Sequence, residues 1–155
     1  MYFWKIDSLS QDLKNGSLPQ SERFKYLLAN VIVYAVIIEL STLFAEPIIA
    51  LDIFQSIFIV AITVAGTIYC YVVNSHGDNQ EFIDRFICIG WVVTVRVIVL
   101  FIVAFSLYLF IGYAVGGEEF ERFSETTNFV SVGFVLGMCG VFYGLVGKHI
   151  KKVAY

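Results

Sequence analysis

The stretch FICIGWVVTVRVIVLFIVAFSLYLFIGYA, residues 86–114, carries a single charge in 29 residues, Arg96. A hydrocarbon layer about 30 Å thick is crossed by roughly 20 apolar residues of helix. As a helix this stretch would extend about 44 Å, so it is predicted to tilt or to project beyond the membrane. Three more runs of the same kind lie at about 27–45, 48–73 and 128–147. Hydrophobic residues make up 59% of the 155, far too many for a soluble domain of this size. The reading is a single all-α membrane domain, 1–155, polytopic, with four transmembrane helices.

Charge is confined to the ends and loops, and its distribution sets the orientation. Lys5, Lys14, Arg23 and Lys25 precede the first span, and Lys148, Lys151 and Lys152 form a basic tail over 148–155. Arg85 lies between the second and third spans. The loop before the fourth span holds Glu118, Glu119, Glu121 and Glu125 against Arg122 alone. The positive-inside rule places both termini and the middle loop in the cytoplasm, and an even number of spans requires the same. The expected location is an integral membrane protein of a bacterial inner membrane. No cleavable signal peptide is expected, because a polar, charged lead precedes the first apolar run.

Residues 1–14 read as an amphipathic helix, with Phe3, Ile6, Leu9 and Leu13 at helical spacing. Tyr2, Phe3 and Trp4 add an aromatic cluster suited to a headgroup region. Asn15-Gly16 closes it, since glycine takes the left-handed cap conformation cheaply, and residues 1–16 form an interfacial helix in this reading. Ser17 is placed to cap the next helix, with Pro19 in its first turn. Glu46-Pro47 ends the first span so close to the second that the two are predicted to pair as an antiparallel hairpin. Gly116-Gly117 ends the third.

Three constellations inside the spans are candidate functional features. Gly133, Gly137, Gly140, Gly144 and Gly147 follow at spacings of 4, 3, 4 and 3, which keeps all five on one face of the fourth span. Such a face admits another backbone at close range, within the bundle or from a second copy. Asp52, Ser56 and Thr63, with Gln55 and Thr67 beside them, run as a polar stripe along the second span, expected to face protein or water. Glu39 and Arg96 are the charges deep in the spans; counted from the span starts they reach similar depth, where an ion pair would neutralise both.

The remaining motifs narrow the chemistry. Cys70, Cys88 and Cys139 lie in spans without a CxxC spacing, so no disulfide framework or zinc site is expected. His76, with Asp78, Glu81 and Asp84, matches no helical ligand spacing and reads as a solvated loop. Neither a catalytic motif nor a cofactor or metal signature is present, which argues against an enzyme. Four spans, a membrane glutamate in the first and glycines in the last resemble the small multidrug-resistance transporters. This chain is longer, sets Arg96 beside Glu39, and has only Gly90-Trp91 where that family's third span carries an aromatic-glycine signature.

The leading expectation is a small homo-oligomeric membrane protein that forms or gates an ion-conducting path. The resemblance implies the alternative of a proton-coupled exporter working through Glu39. A non-conducting anchor or sensor that recruits a cytoplasmic partner is the other. The expected partners are the lipid bilayer and further copies of the chain, with a soluble protein in the anchor reading and no nucleic acid.

Overall fold

The computed structural model describes residues 1–43, 49–124 and 128–155, and within them all side chains except those of 38, 40–43, 118–119 and 121–124. Every element among the described residues is a helix: α1 Ile6–Lys14, α2 Gln20–Leu43, α3 Ala50–Ser75, α4 Phe82–Ser124 and α5 Phe129–Ala154. Three of them are long and apolar enough to cross a membrane among the described residues, over Ala50–Ser75, Phe82–Gly117 and Phe129–Ala154. The first expected span falls on α2; its final residues and the Glu46-Pro47 turn lie outside the described residues.

Helix ends follow local chemistry. Past the end of α1, Gly16 takes φ +65°, the left-handed conformation the sequence predicts there. Ser17 does not cap α2: its hydroxyl donates to the Asp12 carbonyl at 3.2 Å, and α2 begins with the Pro19 carbonyl accepting from Glu22 and Arg23. Asp52 accepts from the Ile49 amide at 2.9 Å and so satisfies an orphan donor at the start of α3. Asn128 accepts from the amides of Val130 and Ser131, both at 3.0 Å, and caps α5. α4 breaks at Gly117, whose φ of 52° and ψ of −135° are open to glycine and to few other residues. Beyond the break the chain folds back, and the Phe120 ring packs on Tyr108 and Tyr113 with centroids 5.4 and 5.3 Å away.

α2 packs on α4, α4 on α5 and α5 on α3, while α1 lies against α4 and α5. α2 and α3 make no contact among the described residues, so the hairpin expected of the first two spans is not a packed pair. The partner of α3 is decided by shape. α3 and α5 run in the same direction, and each offers a glycine to a tyrosine of the other. A Cβ at Gly66 would run into the Tyr143 ring, and one at Gly147 into the Tyr69 ring. Gly77, beyond the end of α3, lies as close to Ala154, where a Cβ would be 2.6 Å from the carbonyl oxygen.

The tightly buried core sits at the end of the bundle that holds both termini. There Ile6, Leu9 and Leu13 of α1, Tyr26 of α2, Cys88, Ile89 and Val92 of α4, and Val146 and Ile150 of α5 are all at most 2% exposed. Arg85, expected as a loop charge, is buried in this end. It donates to both carboxylate oxygens of Asp78, at 2.5 and 2.6 Å, and to the Asn74 side chain at 3.0 Å. This bidentate contact holds the Asp78 carboxyl below its usual range. The Asp78 amide then donates to the Ala154 carbonyl at 3.1 Å, tying the α3–α4 turn to the end of α5. Arg23 meets Asp84 at 2.6 Å and Glu81 at 3.0 Å, which fixes α2 on α4. Toward the opposite end large apolar side chains such as Ile57, Val60, Leu100 and Phe110 are exposed, a surface that hydrocarbon can cover without penalty.

Because the Tyr143 ring fills the space above Gly66, Gly66→Ala is expected to destabilise the fold by about 1–3 kcal/mol, despite alanine's better helix propensity. Thermal unfolding in detergent micelles measures it. In a Tyr143→Ala background the same change is expected to be tolerated; an equal loss in both backgrounds would refute the ring contact as the cause.

Candidate functional site

The candidate residues divide between a seam beneath α1 and two open helix faces. α1 is amphipathic, and its apolar face, Ile6, Leu9 and Leu13, is spent on α4 and α5. Polar contacts around it add direction. The Tyr2 amide donates to the Tyr26 hydroxyl at 2.6 Å, and the Tyr2 hydroxyl donates to Asp12 at 2.8 Å. Lys152 near the end of α5 pairs with Asp7 at 2.7 Å. The N-terminal ammonium meets Glu22 at 2.6 Å. Glu22 is also paired with Lys25, and these two cations hold its carboxyl down to about 2. Phe3 and Trp4 remain more than half exposed beside this junction.

Arg96 belongs to this seam and not to a pair with Glu39. Its guanidinium donates to the Trp4 carbonyl and lies 5.5 Å from the centroid of the Trp4 ring. Phe3 packs edge-on against Trp91 of α4 at 6.2 Å, so the N-terminal segment is held at two neighbouring levels of α4. Among the described residues no ion pair joins Glu39 to Arg96. Counted from the Arg23–Asp84 pair, Glu39 lies 16 residues along α2 and Arg96 12 along α4. The difference amounts to about 6 Å of helix rise. The arm of Arg96 closes on Trp4, the neighbour of Phe3, and Phe3 meets α4 at Trp91, five residues before Arg96. A guanidinium over an indole is worth about 0.5–1 kcal/mol at a partly open site, beyond its hydrogen bond. Glu39 itself is exposed on α2.

The polar stripe of α3 is not closed off within the protomer. Gly66 and Cys70 are buried, and Asp52, Gln55 and Thr67 are half-buried. Ser56 and Thr63 are exposed. Asp52 has a local duty as the capping side chain of α3.

The glycine face of α5 also divides. Gly147 is buried beneath the Tyr69 ring. Gly133, Gly137, Gly140 and Gly144 are exposed, and a Cβ at any of them would meet nothing within 4 Å. Gly133 and Gly137 line an apolar groove of about 490 Å³ between α4 and α5, with Val97, Phe101, Phe134 and Met138 among its walls.

Sequence reasoning misjudged Arg85 and missed Asn74, Tyr26 and Trp4 as contact-forming residues. The signal was present for Arg85, whose charge stands directly before an apolar run and opposite the carboxylate-bearing turn at Asp78. The sequence carries none for Trp4, whose partner is 92 residues away. The thiols of Cys70, Cys88 and Cys139 are free, and among the described residues no cluster of His, Cys, Asp and Glu is arranged to hold a metal. No protein-family model, curated protein or solved structure matches the chain.

A double-mutant cycle separates the two accounts of Arg96. Trp4→Ala and Arg96→Gln are expected to be non-additive in thermal stability by about 0.5–2 kcal/mol, whereas Glu39→Gln and Arg96→Gln are expected to add. Coupling of Arg96 to Glu39 but not to Trp4 would reverse the assignment.

Proposed function

We propose that this chain is an integral membrane protein of the bacterial inner-membrane type, with both termini cytoplasmic and α2 crossing the membrane beside the three helices long and apolar enough to do so. We infer that it assembles with copies of itself and that the assembly forms or gates an ion-conducting path. The observation that carries this reading is the open glycine row of α5, Gly133, Gly137, Gly140 and Gly144, unfilled by any described part of its own protomer. A side-chain-free face on a membrane helix favours close approach of a second helix. The exposed hydroxyls of Ser56 and Thr63 on α3 support the same reading, because polar groups at membrane depth are best covered by protein or water. Four helices enclose too little space for an aqueous lumen, so the path would lie between protomers. α1, latched by Arg96 to Trp4 at the end of the bundle that holds the termini, is the element placed to act as a gate.

Bulk on the open row is expected to break assembly while leaving the protomer folded, since a Cβ at these positions meets no atom within 4 Å. Gly137→Leu and Gly140→Leu should shift the protein to a smaller species in size-exclusion chromatography with light scattering. Ala65→Leu, at an exposed position of α3, should not. Thr63→Leu should retain the oligomer and reduce single-channel conductance in planar bilayers several-fold. A monomeric wild type, or an oligomer indifferent to both leucines, would defeat the reading. Proton-coupled uptake abolished by Glu39→Gln, with no conductance in the wild type, would favour the exporter.

The orientation has its own test. In a variant without the native cysteines, a cysteine at Ser124 should label with an impermeant reagent in whole cells, and one at Ser75 only after permeabilisation. The reverse pattern would invert the topology.

A further inference from the structure

Between α1 and the end of α5 lies a polar cavity of about 380 Å³, bounded by Asp7, Ser8, Ser10, Gln11, Lys14 and Lys152. It is separate from the apolar groove beside the glycine row and from the polar stripe of α3. At its base Ser10 is only 2% exposed, and its hydroxyl has no hydrogen-bond partner among the described residues. A buried hydroxyl left unsatisfied costs about 1–3 kcal/mol, so its position calls for an acceptor or donor supplied at that point. At its rim stand two ammonium groups. Lys14 has no carboxylate partner among the described residues, and Lys152 is paired only with Asp7. That pair is exposed on both sides, and exposed pairs of this kind hold weakly enough to exchange for a stronger anion.

The charge balance selects the ligand. One carboxylate faces two ammoniums within the cavity, and Lys148 and Lys151 add positive charge on the same end of α5. Asp7 feels the positive charges of Lys152 and, at longer range, of Arg96, and these hold its carboxyl below the usual range. A phosphate group presents several acceptor oxygens, which suits two ammoniums at the rim and a hydroxyl donor at the base. The cavity also follows directly on the apolar part of α5, at the level where a lipid headgroup would lie.

We propose that this cavity binds a phosphate group, carried by an anionic lipid headgroup or by a free phosphate. A phosphate bound there bridges Lys14 of α1 and Lys152 of α5, and so holds α1 against the bundle. The proposal does not rest on conduction or on assembly, because its readout is binding and stability of the chain itself.

The test uses the full chain in a neutral detergent, with thermal unfolding and native mass spectrometry as readouts. The probes are phosphatidylglycerol, phosphatidic acid, phosphatidylcholine and inorganic phosphate, each added alone. The anionic lipids or inorganic phosphate are expected to raise the unfolding temperature, and phosphatidylcholine is not. Retention of lipid alone assigns the headgroup as the source; an equal shift by inorganic phosphate assigns the free anion. Lys14→Gln with Lys152→Gln should weaken binding at least tenfold, and Ser10→Ala several-fold. Lys148→Gln with Lys151→Gln, outside the cavity, should change it less than threefold. Binding lost equally with either lysine pair would mean attraction to the basic tail as a whole, and the proposal would fail. It would fail equally if no probe shifted the wild type, or if Ser10→Ala bound as the wild type does.

Discussion

The exchange of glycine and tyrosine between α3 and α5 determines how the other helices are placed. Tyr143 over Gly66 and Tyr69 over Gly147 lock two parallel helices at close range along one line. Helices in lipid gain little from hydrophobic association, so interlocking shapes decide which of them pair. Once α3 has taken this face of α5, α4 packs on another and α2 is left to pack on α4. The Asp78–Ala154 hydrogen bond and the burial of Arg85 then close the same end of the bundle. The packing is therefore uneven: dense near the termini, with large apolar side chains exposed toward the other end.

That dense end explains what α1 does with its amphipathic face. An amphipathic helix at a membrane surface gains by placing its apolar side in the acyl boundary. Here Ile6, Leu9 and Leu13 find an apolar surface on α4 and α5 instead, and are fully buried by it. The aromatic residues just before the helix, Phe3 and Trp4, stay exposed, so a headgroup-anchoring role for them is compatible with protein docking of the helix. Arg96 gains two things from the arrangement, an acceptor at the Trp4 carbonyl and an indole face. The cation of Arg96 is thus accommodated by Trp4, with Asp7 as a longer-range counter-charge and, among the described residues, no direct ion pair.

The membrane character, the apolar runs, the turn at Gly117 and the left-handed residue Gly16 were legible in the sequence because each depends on nearby residues alone. Partner choice was not. A short connection between the first two spans suggests that they pair, yet proximity in sequence does not supply complementary shape, and nothing local sets Tyr69 and Tyr143 apart from the other aromatics. Helix rise alone sets Glu39 and Arg96 at similar depth, but it does not give the direction of the arginine arm, which closes on Trp4. Nor does it show that the segment before α1 comes within reach of that arm. Asp52 looked like part of a hydrated stripe, while its position three residues after Ile49 marks a helix start. Of the glycine row, periodicity revealed the common face, but only packing could show that Gly147 is filled from within and the other four are not.

The two kinds of glycine on α5 have different energetic standing. Each glycine inside a helix gives up about 1 kcal/mol relative to alanine. At Gly147 the Tyr69 ring offsets that loss, because no larger residue would admit it. At Gly133, Gly137, Gly140 and Gly144 the described residues offer no such return, and alanine would fit each site without a clash among them. Four uncompensated glycines amount to about 3–4 kcal/mol of helix stability, a large part of what a small domain has in total. A second helix lying close along the row would return it through backbone contact over the whole face. On this reasoning the glycine face of α5 is filled by its own chain at Gly147 and stands open among the described residues from Gly133 to Gly144.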